Sequence, residues 1–104
     1  MNLKQFKTEM ETLGYNINYL MFTNPPQLPY LVYYVAENNY QYSDNKNYSL
    51  FLGVNLELYD KNKNIEAENK IENKFNELGL TFSKDEVYIE SEKLYQVIYY
   101  VELI

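Results

Sequence analysis

The sequence contains no cysteine, histidine or tryptophan, its nine basic residues are all lysine, and it has three glycines and three prolines in 104 residues. Each absence closes a class of function. Without cysteine there is neither a disulfide framework nor a thiolate site, and nothing points to an oxidising compartment. Without histidine and arginine the usual general base, the commonest metal ligand and the bidentate phosphate clamp are missing, which argues against an ordinary hydrolase or nucleotide enzyme. No apolar run approaches the ~18 residues of a membrane span. The start, MNLKQFKTEMETLGY, alternates charged and apolar residues in place of a leader. A soluble, unsecreted protein without membrane contact is the expectation.

What is present points elsewhere. The formal net charge of -6 opposes binding to a nucleic-acid backbone, which wants a basic patch, while permitting DNA avoidance or mimicry. Asn, Lys and Ile are abundant, as in an AT-rich genome, and the thirteen tyrosines partly reflect that bias. Tyrosine is also enriched at protein interfaces. By length, residues 1–104 form one domain, which buries roughly two-thirds of its unfolded surface and needs no metal or disulfide to fold.

The stretch Tyr48–Tyr59, YSLFLGVNLELY, organises the rest. Leu50, Leu52, Val54, Leu56 and Leu58 occupy its even positions, so the period is two and one face of a strand is buried. At ~3.3 Å per residue it runs about 40 Å, long enough to require a bend or bulge near Gly53. Before it, Asn2 and Gln5 form a capping-box pattern, and Leu3, Phe6, Met10 and Leu13 make the apolar stripe of a helix over residues 2–13 that stops at Gly14. Residues 15–22 read as a short strand. Residues 23–29, TNPPQLP, hold every proline and read as a stiff, extended connector. Tyr30–Ala36 is apolar on both faces, as for a strand covered by helices on one side and by another body, such as a neighbouring subunit, on the other. Glu37–Asn47, ENNYQYSDNKN, reads as a long polar hairpin loop with two aromatic anchors.

After Tyr59, Asn64 is the natural N-cap of a second helix over residues 65–78. Glu66 and Glu68 suit its positive end, Ile71, Phe75 and Leu78 form its buried stripe, and Gly79 ends it. Residues 80–82 form a short extended piece, 87–90 a strand and 91–93 a turn. In the last strand, residues 94–103, Tyr95, Val97, Tyr99, Val101 and Leu103 share one face. The order α-β-β-β-α-β-β implies an α+β fold, a mostly antiparallel sheet with two helices packed on one face.

Several chemistries can be weighed directly. Asp60, Asn62 and Asn64 have the first spacings of a calcium loop, but Ile65 and Ile71 stand where glycine and glutamate belong, so a helix cap explains them better. Asp85, Glu86, Glu90 and Glu92 read as a solvated acidic rim, since nothing places one of them in an apolar pocket. Tyr30, Tyr33, Tyr34, Tyr95, Tyr99 and Tyr100 could make a stacking platform for single strands, yet no lysine lies between them in these strands. Core and interface packing is the better account. Asn47-Tyr48-Ser49 matches a glycosylation acceptor that means nothing without a signal peptide. No catalytic, metal or cofactor-binding residue emerges.

Four segments carry a family resemblance: Asn24-Pro25-Pro26-Gln27-Leu28-Pro29-Tyr30-Leu31-Val32-Tyr33, Tyr42-Ser43-Asp44-Asn45-Lys46-Asn47-Tyr48, Glu57-Leu58-Tyr59, and Tyr88-Ile89-Glu90-Ser91-Glu92-Lys93-Leu94-Tyr95-Gln96-Val97-Ile98-Tyr99. With these the chain resembles the tail-terminator, or tail-completion, proteins of phages and prophages of Gram-positive bacteria. The likeness spans nearly the whole chain from the first helix, and its motifs are structural, not chemical. It implies a non-enzymatic virion protein at the head-tail junction. Such a protein forms a ring, usually a hexamer, that caps the tail tube and docks onto the head-tail connector, while DNA passes through without specific binding. Where the family often has Asp-Pro at the start of the second helix, this chain has Asn64-Ile65, which keeps the cap and loses the preorganised first turn. The interface residues expected on this reading are Pro25 and Pro26 of the connector and Tyr40, Tyr42, Asp44 and Asn45 of the loop. The competing expectation is an acidic phage-encoded module that inhibits a basic host protein. Lys70 and Lys74, mixed among the acids of the second helix, disfavour the uniform negative face it needs.

Overall fold

The computed structural model describes the backbone of residues 1–43 and 46–103, and the side chains of these except for residues 37–51. The fold is α+β, a mixed five-stranded sheet with two helices. The elements run α1 (Leu3–Glu11), β1 (Asn16–Tyr19), β2 (Tyr30–Ser43), β3 (Lys46–Asp60), α2 (Ile65–Leu78), β4 (Phe82–Ile89) and β5 (Leu94–Leu103). In space the strands lie in the order β1-β2-β3-β5-β4.

Local chemistry sets the helix ends. Asn2 accepts from the Gln5 amide while the Gln5 side chain accepts from the Asn2 amide, a closed capping box, and α1 buries Phe6 and Met10. At α2 the Asn64 side chain accepts from the Ala67 amide, and Gly79 closes the helix in the left-handed region at φ 71°. Asn64 also donates to Asp60, and the other Asp60 oxygen accepts from the Lys61 amide, so these side chains build the turn and cap before α2.

Both helices share one core with the sheet. Phe6, Met10, Ala67, Ile71 and Phe75 pack with Leu31, Tyr33, Val54, Leu56, Leu58, Val97, Tyr99, Val101 and Leu103. Register explains the set: Leu31 faces Leu58 and Tyr33 faces Leu56 across β2 and β3, while Leu58 faces Val97 and Leu56 faces Tyr99 across β3 and β5. Side chains alternate along each strand, so these residues form one helix-covered face. Tyr30, Val32, Tyr34, Asn55, Glu57, Tyr59, Gln96, Ile98 and Tyr100 belong to the opposite face.

The sheet departs from expectation in four places. First, β1 runs parallel to β2, with Asn16 opposite Tyr30, because residues 20–29 carry the chain back to begin β2 alongside the start of β1. Second, β1 ends at Tyr19 instead of continuing to residue 22. Leu20 adopts φ 68°, and the Asn18 side chain donates to the Met21 carbonyl, closing a turn there. Third, residues 37–43, 46 and 47, expected as loop, are strand: the β2-β3 ladder runs on to the pair Ser43 and Lys46. The expected irregularity at Gly53 is present, since Val35 faces Val54 while Glu37 faces Gly53, leaving Ala36 as the extra residue of a bulge. Fourth, the pieces expected at 80–82 and 87–90 are joined into one strand by Ser83–Glu86, whose polarity suits an exposed sheet edge.

Candidate protein-docking face

The face of the sheet away from the helices has two halves. Over the first half lies the connector of residues 20–29. The Phe22 ring meets Tyr30 edge-on at 5.2 Å, and Leu20, Met21, Phe22 and Pro25 line a small pocket against Tyr30, Val32 and Tyr59. The second cover expected for the doubly apolar Tyr30–Ala36 strand is therefore, at Tyr30 and Val32, a segment of the same chain.

Beyond the connector the face carries a polar network built on three strands. Glu57, only 8% exposed, accepts from the Tyr34 hydroxyl at 2.6 Å and from the Tyr59 hydroxyl at 2.7 Å. Asn55 Nδ2 donates to the Tyr34 oxygen and Gln96 Nε2 to the Tyr59 oxygen, at 3.1 and 2.8 Å. Each phenol is thus both donor and acceptor, which fixes its orientation. Burial, followed by the hydrogen bond to Glu57, raises the hydroxyl pKa of Tyr34 and Tyr59 above the ordinary phenol value. Both remain donors at neutral pH.

Next to this network an open groove of about 400 Å³ crosses the sheet, lined by Ala36, Gly53, Asn55, Ser83, Tyr100 and Glu102 among others. Asn55 faces Tyr100 and Tyr100 faces Ser83, while Gly53 faces Glu102, so the groove spans β2, β3, β5 and β4. Its small residues make a low floor, and Tyr100, 40% exposed, stands at its wall. Tyr100 hydrogen-bonds Asp85, which raises its hydroxyl pKa. Among the described strand residues of this face there are carboxylates at Glu57, Asp85 and Glu102 and no lysine, and Glu92 of the β4-β5 turn lies at the connector end beside Tyr30.

The helix side handles charge differently. Glu68, 3% exposed, lies between Lys63, at 2.9 Å, and Lys84, also at 2.9 Å. Lys63 also pairs with Glu86, and Lys84 with Glu72 at 2.7 Å, whose Oε2 in turn accepts from the Tyr99 hydroxyl at 2.8 Å. Burial raises the Glu68 pKa, but the two lysine hydrogen bonds outweigh it and hold the carboxyl below its usual range. Glu68 sits in the first turn of α2, as its suitability for the helix dipole predicts, and is in addition a buried bridge between α2 and β4.

The expected interface residues fall apart in space. Pro25 is exposed and Pro26 half-buried, both in the connector at the start of β2. Tyr40 and Tyr42 lie in the ladder beyond the bulge, and ten residues of strand at ~3.3 Å put Tyr40 roughly 33 Å from Tyr30. The side chains of Tyr40 and Tyr42, and Asp44 and Asn45 altogether, lie outside the described residues. The six-tyrosine platform does not form: Tyr30, Tyr34 and Tyr100 are on the docking face, whereas Tyr33 and Tyr99 are buried in the core, with Tyr95 packed against it. No protein-family model matches the chain. No curated protein matches it either. The site therefore rests on geometry: an aromatic and carboxylate surface whose two phenols and one glutamate are oriented by a single hydrogen-bond network.

The Glu57 network was not anticipated, because Asn55, Glu57 and Tyr59 read as the solvent side of the central strand. A signal existed in their neighbours. A glutamate with tyrosine at i+2 on its own strand, and Tyr34 diagonal to it on β2 opposite Asn55, has a phenol donor on each of two sides.

Proposed function

We propose that this chain is a structural assembly protein of a phage particle, closing into a ring that caps the tail tube and joins it to the head connector. It catalyses no reaction, and DNA passes through its assembly without specific binding. The observation that carries this reading is the β2-β3 arm. The β3-β5 pairing begins at Leu52, so residues 46–51 extend beyond the five-stranded part of the sheet with β2 as their ladder neighbour. A two-stranded ribbon has marginal stability alone and gains it by lying on another surface. Head-to-tail contacts of that kind close into rings when the rotation permits. The resemblance carried by the Asn24–Tyr33, Tyr42–Tyr48, Glu57–Tyr59 and Tyr88–Tyr99 segments supplies the particular assembly.

The acidic-inhibitor alternative is disfavoured by the helix side, where Lys7, Lys63, Lys70, Lys74 and Lys84 are each within 4 Å of a carboxylate. The test is electron microscopy of particles from a producing host with an early stop codon in this gene. The stop allele is complemented either by the natural chain or by one whose residues Tyr40–Leu50 are replaced with Asn-Gly. The stop allele and the armless chain should both give filled heads separated from tails of irregular length. Normal joined particles from the stop allele would overturn the function, and joined particles from the armless chain would overturn the role of the arm.

A further inference from the structure

The docking face and the arm are each incomplete within one chain, and their dimensions match. The groove crosses four strands, three spacings of ~4.8 Å, or about 14 Å. Residues 37–43 of the arm, at ~3.3 Å each, reach about 23 Å, enough to cross it entirely. The arm cannot fill the groove of its own chain. Its ladder continues from Val35 and Val54 through a one-residue bulge to Ser43 and Lys46, and such a ribbon bends without doubling back.

Chemistry narrows the occupant further. The groove and its surroundings offer carboxylates at Glu57, Asp85 and Glu102 and no lysine among the described residues, so an acidic surface would be repelled. The arm segment Asn38-Asn39-Tyr40-Gln41-Tyr42-Ser43 is uncharged, and its amide and hydroxyl groups can all donate. The floor of Ala36, Gly53 and Ser83 leaves room for side chains of that size. Strand addition at the outer edge of β4 is a poorer fit, since Lys84, Asp85 and Glu86 lie in that edge strand.

We propose that the β2-β3 arm of one copy lies across the groove of a second copy, over Asn55, Ser83 and Tyr100, as the repeating contact of the assembly. This rests on the assembly reading and specifies its interface. The contact is heterologous, arm to face, and propagates around a ring.

The absence of cysteine makes the test direct. Ser83→Cys is introduced into one preparation, and Tyr40→Cys or Gln41→Cys into another, neighbouring positions that sample both sides of the ribbon. Because each chain carries a single thiol, a disulfide formed between mixed preparations under mild oxidation can only be intermolecular. A Lys93→Cys chain, altered in the β4-β5 turn, is the control. Native mass spectrometry of the natural chain gives the oligomeric state in parallel. Oligomers together with a disulfide between position 83 and position 40 or 41, and none to the control, are expected. Loss of the oligomer in Ser83→Trp with an unchanged melting midpoint is also expected. Oligomers with no disulfide above the control would overturn this interface and leave the assembly reading standing. A natural chain that stays monomeric at every concentration, without cross-links, would overturn both.

Discussion

Replacing Phe75 with alanine tests whether the ring that joins both helices to the sheet is as central as its surroundings indicate. Phe75 has no exposed surface and stacks on Phe6 of α1 at 6.3 Å, meets Tyr99 of β5 edge-on at 5.5 Å and tilts against Phe82 of β4 at 5.1 Å. Truncation removes the transfer free energy of the ring and leaves a cavity among three other rings, a loss of about 3–5 kcal/mol for a fully buried phenylalanine. Domains of this size have roughly 5–15 kcal/mol in total. At an m value of about 1.5 kcal/mol per molar urea, the midpoint followed by circular dichroism should fall by roughly 2–3 M with an unchanged slope. Phe75→Leu, which keeps much of the volume, should lose less. A midpoint for Phe75→Ala within ~0.5 M of the natural chain, less than 1 kcal/mol, would refute the packing argument.

Three further outcomes follow from the same structure. Glu68→Gln should destabilise the domain at neutral pH by about 1–3 kcal/mol, the lower range reflecting the partial exposure of Lys63 and Lys84. Because the folded carboxyl pKa is lowered, its contribution is present above the ordinary carboxylate pKa and is lost as pH falls through the folded value. Urea melts at neutral pH and at acid pH should therefore show the gap between Glu68→Gln and the natural chain closing. Tyr59 and Tyr99 have raised hydroxyl pKa values, from burial first and then from carboxylate hydrogen bonds, so they favour the folded state fully below the ordinary phenol value and lose that contribution as pH rises through their own. Absorbance titration at alkaline pH should show these phenols ionising late, with unfolding, and Tyr59→Phe should remove part of the late phase. Finally, an assembly joined by uncharged donors should survive added salt, whereas an acidic inhibitor would release its partner; sedimentation across a salt series distinguishes them.

What the sequence disclosed was set by local chemistry. The ends of α2 were legible because Asn64 and Gly79 act on the backbone within four residues, and the buried face of β3 because its leucines alternate. Elements stabilised from a distance were harder to read. Asn38–Ser43 has the composition of a loop and is strand because Phe51, Leu50 and Ser49 of β3 pair with it. Ser83–Glu86 reads as a break between two apolar pieces, yet an edge strand tolerates polar residues on both faces. Glu68 is buried because Lys84, sixteen residues away, reaches it through the fold. Tyr33 and Tyr34, like Tyr99 and Tyr100, are adjacent in strands and fall on opposite faces, which is why core packing accounts for Tyr33 and Tyr99 better than a stacking platform does.

The two sides of the sheet treat their carboxylates in ways that bear on assembly. On the helix side Glu68, Glu72 and Glu86 are matched by Lys63 and Lys84 within the same chain. On the docking face Glu57 is held by two phenols, and its negative charge is spread over neutral donors without being cancelled. A buried carboxylate held this way tolerates a neutral, donor-rich neighbour better than an acidic one, because each new hydrogen bond adds to the existing set and no like charge is brought close. In the proposed contact the same arrangement would disfavour the acidic parts of a second copy. In the proposed head-to-tail contact that preference would set the orientation, and the uncharged Asn38–Ser43 segment meets it.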